Sequence, residues 1–429
     1  MRFFYSLLLY LLIPYVIVRL LYRGLSNRGY WHRWHERFGF VSYKQDKPVI
    51  WVHAVSVGET RAAAPLINEL IKRYPDHRVW VTTMTPTGSD QVKSLFGDRV
   101  EHSFVPYDLP FSVSLFLNRI KPDTVLIMET ELWPNIYHAC FKRGIPVCLA
   151  NVRISASSFK GYQMVQKLTK NTLANVSRFA VQSEADAARI KLLGANQENL
   201  QVTGNIKFDL HVPASIIEAG SLLRQRWGED RSILLAASTH EGEEKIILSS
   251  FKRLKKIFPD LLLVLVPRHP ERFAQVARLV DKKGFHSEAR SSGESSLPAN
   301  VDILIGDTMG ELQLFFAAAD IAIICGSFVP AGGHNLLEAA AVGVPSVFGP
   351  YMDNFMEIAE ISLDRGAGFQ AVQIEYLDEV LENLLKDPNK RYESGEAAKK
   401  MITENRGALD RTLDYFSAEL PGQATPSSN

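Results

Sequence analysis

Cysteine is scarce in this chain, with three in 429 residues. Cys140, Cys148 and Cys325 each lie in an apolar run, and three is not the even count of a disulfide framework. They read as buried free thiols in a reducing compartment. No cluster of His and Cys has metal-ligand spacing, so no metal is expected. An excess of charge is missing too: 48 Lys and Arg face 47 Asp and Glu, a net +1, which excludes a polyanion binder and any nucleic-acid partner. No Gly-x-Gly-x-x-Gly follows the first strand, and there is no Gly-Lys-Ser/Thr loop. Dinucleotide dehydrogenases and P-loop enzymes fall away. Tandem repeats are absent, and the one polar tract is the tail after Pro421. What remains, 46% hydrophobic and 22% charged residues, is a globular composition long enough for two domains and an appendage.

The neutral average hides an asymmetry. Arg2, Arg19, Arg23, Arg28, Arg33 and Arg37 stand against Glu36 alone in the first 40 residues, which also hold the most apolar run, Phe3 to Val18. A basic flank beside an apolar run points to a membrane surface. The run is slightly short for a span and contains Pro14. No small-x-small cleavage site follows, which speaks against a signal peptide, and arginines after the run should keep the rest in the cytosol. Residues 30–38, aromatic and cationic together, read as a helix at headgroup level. Residues 1–40 are thus expected to anchor the chain at the inner, cytosolic face of a membrane, with phospholipids as partners.

From Pro48 onward short β-branched runs alternate with amphipathic helical stretches. Strands are predicted at 49–53, 79–83, 100–105, 124–128, 147–151, 179–182 and 201–203, then at 233–237, 261–266, 301–305, 321–325 and 346–348. This is the rhythm of two parallel, doubly wound α/β domains, placed at 41–212 and 213–405, with a C-terminal helix and tail at 406–429. Ligands on such sheets bind beyond the carboxyl ends of strands, so the strand-to-helix turns carry the candidate chemistry.

In the turn Ser56-Val-Gly-Glu59-Thr60, Glu59 is either the capping acid of the next helix or a catalytic base. Glu129 follows the apolar strand Val-Leu-Ile-Met, and Glu131 either joins it or caps the helix that Pro134 opens. Lys207, in Gly-Asn-Ile-Lys-Phe-Asp, is either an exposed hinge residue or the cation for an anion. In the second half, Ser238 and Thr239 open a turn that suits a phosphate. Arg268 and His269 stand between Pro267 and Pro270 and suit an anion. The densest signal is Gly306-Asp-Thr-Met309-Gly310-Glu311, followed by the glycine-rich stretch from Gly326 through Gly332, Gly333 and His334. The helix with Glu338 follows, and glycines there let backbone approach a ligand.

In order and spacing, SVGET, TTMTPTG, METELWPN, GNIKFD, STHEGEE, PRHPERF, GDTMGEL and GGHNLLEAA resemble the 3-deoxy-D-manno-octulosonic acid (Kdo) transferases of lipopolysaccharide synthesis, over nearly the whole chain. The resemblance implies a glycosyltransferase B fold, two Rossmann-like domains facing a cleft. The N-terminal domain would take the lipid A precursor, and the C-terminal domain CMP-Kdo as substrate, with no cofactor or metal. By position, Glu59 matches the general base, and Glu129 and Lys207 match residues that stabilise the transition state. Pro267, Arg268, Met309, Gly310, Glu311, Asn335, Leu336, Leu337 and Glu338 match the CMP contacts. The rival readings are a nucleotide-sugar epimerase or lipid A disaccharide synthase on the same fold, or a membrane-tethered binding module without catalysis.

Overall fold

The computed structural model describes residues 1–42, 46–293 and 296–422. The chain forms two compact units: Met1–Asp209 together with the chain from Arg406 onward, and Leu210–Asn405.

The first unit is built on seven parallel strands: β1 (Val49–His53), β2 (Arg78–Thr83), β3 (Glu101–Phe104), β4 (Pro122–Met128), β5 (Val147–Val152), β6 (Arg178–Val181) and β7 (Leu200–Val202). Their order is β3-β2-β1-β4-β5-β6-β7, so the chain reverses its direction of travel between β1 and β4. Val-Ile-Trp-Val-His in β1 is buried throughout, as a strand covered by helices on both faces requires. One face packs Trp51, Trp80, Phe116, Tyr137 and Phe179. The other packs Val52, Leu66 and Leu126 against Leu413, Phe416 and Leu420 from the chain's far end. Asp209 binds that returning segment by accepting from Leu409 N at 2.6 Å.

The second unit repeats the plan with β8 (Ile233–Thr239), β9 (Leu262–Pro267), β10 (Ser287–Ala289), β11 (Ile303–Ile305), β12 (Ile321–Ile324), β13 (Ser346–Phe348) and β14 (Gly368–Gln370). The order β10-β11-β9-β8-β12-β13-β14 places its reversal between β8 and β12. The three cysteines are buried and free. Burial pushes the Cys140 thiol up to about 12.

The N-terminal helix runs Arg2–Ser26 straight through Pro14 and is long and apolar enough to cross a membrane. Its first turn is bound to the first unit: Arg2 Nη1 and Ser6 Oγ both donate to Asn135 Oδ1, each at 3.1 Å. The segment read as a headgroup-level helix is different. It folds as two 3-10 turns, Arg28–Tyr30 and Trp34–Phe38, that pack on the unit. Glu36 pairs with Arg33 at 2.7 Å and accepts from Phe104 N at 2.9 Å. Arg37 stacks over the Phe104 ring at 4.1 Å. The one acid in the basic stretch thus turns part of it toward protein, while Trp31 and Trp34 stay exposed.

Candidate active site

In the first unit the residues that follow β1 and β4 come together at the carboxyl edge, where the sheet reverses. Ser56 caps the helix Val57–Arg73: its Oγ accepts from Glu59 N at 3.3 Å and donates to Glu59 Oε1 at 3.2 Å. Glu59 Oε2 reaches back to accept from Val55 N at 2.8 Å. Glu59 is therefore a reciprocal cap, which fixes its rotamer at the mouth of the turn. Burial is the main cause that pushes its carboxyl up to about 8. The Val55 N–H opposes it, and the charges of Glu129 and Glu131 add to it. Burial, then the charge of Glu129, pushes Glu131 up to about 7.

Glu129 sits in the left-handed region, φ 55°, with its N–H bonded to Ala150 O at 2.8 Å. That conformation is costly for a residue with a Cβ and is kept where surrounding structure over-determines it. Lys207 Nζ lies 3.4 Å from Glu129 Oε1. The 3-10 turn that carries Lys207 is fixed by buried amides. Asn151 Oδ1 accepts from Ile206 N at 3.0 Å, and Asn205 Oδ1 from Lys207 N at 3.0 Å. Gln182 ties the two together, accepting from Asn205 Nδ2 and donating to Asn151 O. The three first-unit candidates, Glu59, Glu129 and Lys207, thus form one group, and Glu131 joins it electrostatically. Glu131 does not cap the helix Pro134–Lys142. Asp108 does, accepting from Asn135 N at 2.9 Å and Ile136 N at 2.7 Å.

The second unit treats its acids differently. The buried Glu243 carboxylate accepts from His240 N (2.9 Å), Gly326 N (2.7 Å) and Phe328 N (3.0 Å). The backbone donors at the start of the glycine-rich stretch are thereby filled by the protein's own carboxylate. Glu244 is held by Arg272, at 2.6 and 3.1 Å, and by the Thr239 hydroxyl at 2.7 Å. Ser238, at φ 62°, turns the chain out of β8. Arg268 N donates to Thr239 O at 3.0 Å, so the turns after β8 and β9 are joined. His269 is exposed and stands edge-on to His240, with ring centroids 5.8 Å apart.

Further along, Glu311 is held by Arg290, with Nη2 to Oε1 at 2.8 Å and Nε to Oε2 at 3.1 Å, and by the Thr308 hydroxyl. That pairing lowers the Glu311 carboxyl. Met309 is exposed beside Gly310, φ 85°. In the glycine-rich stretch Gly333 takes φ 75°, and a Cβ there would meet Met352 S at 2.4 Å, so only glycine fits. Asn335 Oδ1 accepts from Leu337 N at 3.1 Å, and its Nδ2 lies 3.4 Å from Glu338 Oε1. Leu336 and Leu337 are fully buried, so these two positions offer a ligand backbone rather than side chain. Among the described residues no group of three or more His, Cys, Asp or Glu could hold a metal ion.

Two parallel sheets that reverse at β1/β4 and β8/β12, with polar groups gathered at those points, are the architecture of a glycosyltransferase B enzyme. A UDP-GlcNAc 2-epimerase from Neisseria meningitidis shares the fold at TM-score 0.57, 17% identical, over 86% of this chain and all of that one. A family profile described as glycosyl transferases group 1 matches residues 229–401. A second, described as 3-deoxy-D-manno-octulosonic-acid transferase, matches residues 32–210. The 3-deoxy-D-manno-octulosonic acid transferase of Haemophilus influenzae is 41% identical over 98% of this chain and 99% of its own length. That of Bordetella pertussis is 35% identical over 96% and 97%. This chain belongs to the Kdo transferase family of glycosyltransferases.

Proposed function

We propose that the enzyme moves Kdo from CMP-Kdo to the lipid A precursor lipid IVA in lipopolysaccharide synthesis, inverting the anomeric centre. The observation that carries this reading is the first-unit group: a half-buried Glu59 beside Glu129 and Glu131, with one ion pair to Lys207. An alcohol is a poor nucleophile at neutral pH, and a carboxylate whose pKa lies near the working pH is the efficient acceptor for its proton. Glu59 takes that proton as the glycosidic bond forms. Departure of CMP leaves positive charge on the sugar and negative charge on phosphate; Glu129 offsets the first and Lys207 the second.

On this reading the second unit takes the nucleotide. Pro267 and Arg268, Met309 to Glu311, and Asn335 to Glu338 are its contacts. Arg268 suits the phosphate, and Glu338 suits acceptance from ribose hydroxyls. Ser238, Thr239, His269 and Gly333 surround the donor, although the Thr239 hydroxyl is already given to Glu244. The test is direct: purified protein with CMP-Kdo and tetra-acylated lipid A precursor should yield a product heavier by Kdo. No product, or inhibition by UDP in preference to CMP, would refute the reading.

The same proposal places the enzyme on the cytosolic face of the inner membrane. The helix Arg2–Ser26 supplies the apolar surface, and Arg19, Arg23 and Arg28 suit anionic headgroups. Deletion of residues 1–22 should move the protein from liposomes that resist high salt to weak, salt-sensitive binding in a flotation assay.

A further inference from the structure

The turns after β8, β9 and β12, three adjacent strands of the second sheet, bring three imidazoles to its carboxyl edge. His240 Nε2 and His334 Nε2 lie 2.9 Å apart. Their rings stack with centroids 5.0 Å apart and planes 17° from parallel, while His269 approaches His240 edge-on. A nitrogen–nitrogen contact of this length holds one proton, with one imidazole donating and the other accepting. The pair is half-buried and sits at the β8/β12 reversal, the place where such sheets take their ligands.

The charges facing His240 come from two elements besides its His334 partner. From the turn after β9 come His269, Arg268 and Arg272. From its own turn and the helix that follows come Glu241, Glu243 and Glu244. Glu243 is committed to three backbone N–H groups and Glu244 to Arg272. Burial, then His269, Arg268 and Arg272, holds the His240 imidazole below its ordinary range. Burial and the cations of the turn after β9 thus hold His240 toward its neutral form, while Glu244 opposes them.

We infer that His240 and His334 are phosphate-binding residues of the donor site, which take up one proton together when the nucleotide phosphate arrives. This rests on the reading that the second unit binds the CMP part of the donor. One proton is enough: it converts the shared donor–acceptor contact into two Nε2–H groups, one on an imidazolium and one on a neutral ring. Both can then donate to phosphate oxygens. The anion supplies the negative charge that offsets Arg268 and Arg272, so its arrival favours the proton. In the transfer step the bond from the anomeric carbon to phosphate oxygen breaks, and its electron pair stays on the oxygen. A singly charged diester becomes a doubly charged monoester, while the acceptor's proton goes to Glu59. The imidazolium stands beside the charge that appears.

The experiment is titration calorimetry of CMP into the full-length protein in detergent, in two buffers of different ionisation enthalpy. It is run at about pH 7.5, above the phosphate's own second pKa near 6. Uptake of a substantial fraction of a proton is expected with CMP and none with cytidine. His240→Gln and His334→Gln should each lose the uptake and weaken CMP about tenfold, the loss of a charge-assisted hydrogen bond, with cytidine affinity unchanged. Nitrogen-15 spectra of histidine-labelled parent protein give a readout that needs no variant, since CMP should move two ring signals toward the protonated form. Uptake that persists in both variants, or ring signals that do not move, overturns the inference while leaving the donor reading intact. Failure of the parent protein to bind CMP overturns the donor reading itself.

Discussion

The two units share a sheet plan and dispose of their acids in opposite ways. At the β1/β4 reversal Glu59, Glu129 and Glu131 stand close together with one cation, Lys207, and their crowding adds to burial in keeping protons on Glu59 and Glu131. At the β8/β12 reversal Glu243 and Glu244 are satisfied by backbone N–H groups and by Arg272, which leaves imidazoles and arginines at the edge. Glu59 holds two hydrogen bonds and faces two other acids, whereas Glu243 holds three backbone N–H groups that oppose the effect of its burial. The same fold thus provides a site suited to take a proton and a site suited to hold an anion. Substitutions in the first unit should act on turnover, and those in the second on donor affinity.

The largest effect is expected for Glu59→Gln. Loss of a general base costs about 10²–10⁴ in rate, and CMP affinity by calorimetry should stay near that of the parent. The amide keeps the reciprocal cap, so melting should remain cooperative. Equal loss of affinity and rate would erase the contrast between the units. Next come Lys207→Met and Glu129→Gln, each expected to lower kcat by about 10²-fold. The double variant should lose more than either alone, since each offsets a different developing charge. A loss no greater than that of one single variant would mean that they act only as a pair.

Third is the pH profile. With Glu59 pushed up to about 8, its ionised fraction, and with it kcat/KM, should rise about tenfold per pH unit below that value and level off above it. The sign for stability is opposite. A carboxyl raised in the folded state binds more protons there than in the unfolded chain. Stability therefore falls as pH climbs from the ordinary 4.5 through about 8. Glu59→Gln should accordingly melt higher than the parent above that pH, and a lower melting point would count against the raised carboxyl. The smallest effect is expected for Glu338→Ala, a weakening of CMP by about tenfold with turnover at saturating donor little changed. Unchanged affinity would remove Glu338 from the donor site.

Much of this was legible in local pattern and some was not. Strands such as β1, β4, β8 and β12 announce themselves as apolar β-branched runs. The edge strands β10 (Ser-Glu-Ala) and β14 (Gly-Phe-Gln) have no such signature and went unpredicted. Glu59, Glu129 and Lys207 were visible because each follows a strand. What residues pair with across long separations is not written in local spacing. Asp108 caps a helix that begins 26 residues later, so Glu131 looked like the nearer cap. Glu243 fills backbone donors more than 80 residues away, at Gly326 and Phe328, where glycines alone suggested an open cradle. The His240–His334 pair and the Arg290 partner of Glu311 were hidden for the same reason.

The return of the chain's end to the first unit sets an order of events during synthesis. Leu413, Phe416 and Leu420 complete a core whose other members, Val52, Leu66 and Leu126, are made near the beginning. Glu419 adds an ion pair to Arg178 at 2.9 Å. Between the two stretches the ribosome must make the roughly 200 residues of the second unit, on the order of 10–40 s of elongation at ordinary rates. For that interval the part of this sheet face that the chain's end covers, beside β6 and the helix Val57–Arg73, lies open, in a nascent chain whose apolar N-terminal helix has already emerged. The second unit, with both its boundaries inside the chain, can close first. The half of the enzyme begun first is therefore the half finished last, and a message truncated just after residue 405 yields a complete second unit beside a first unit that lacks the last part of its core.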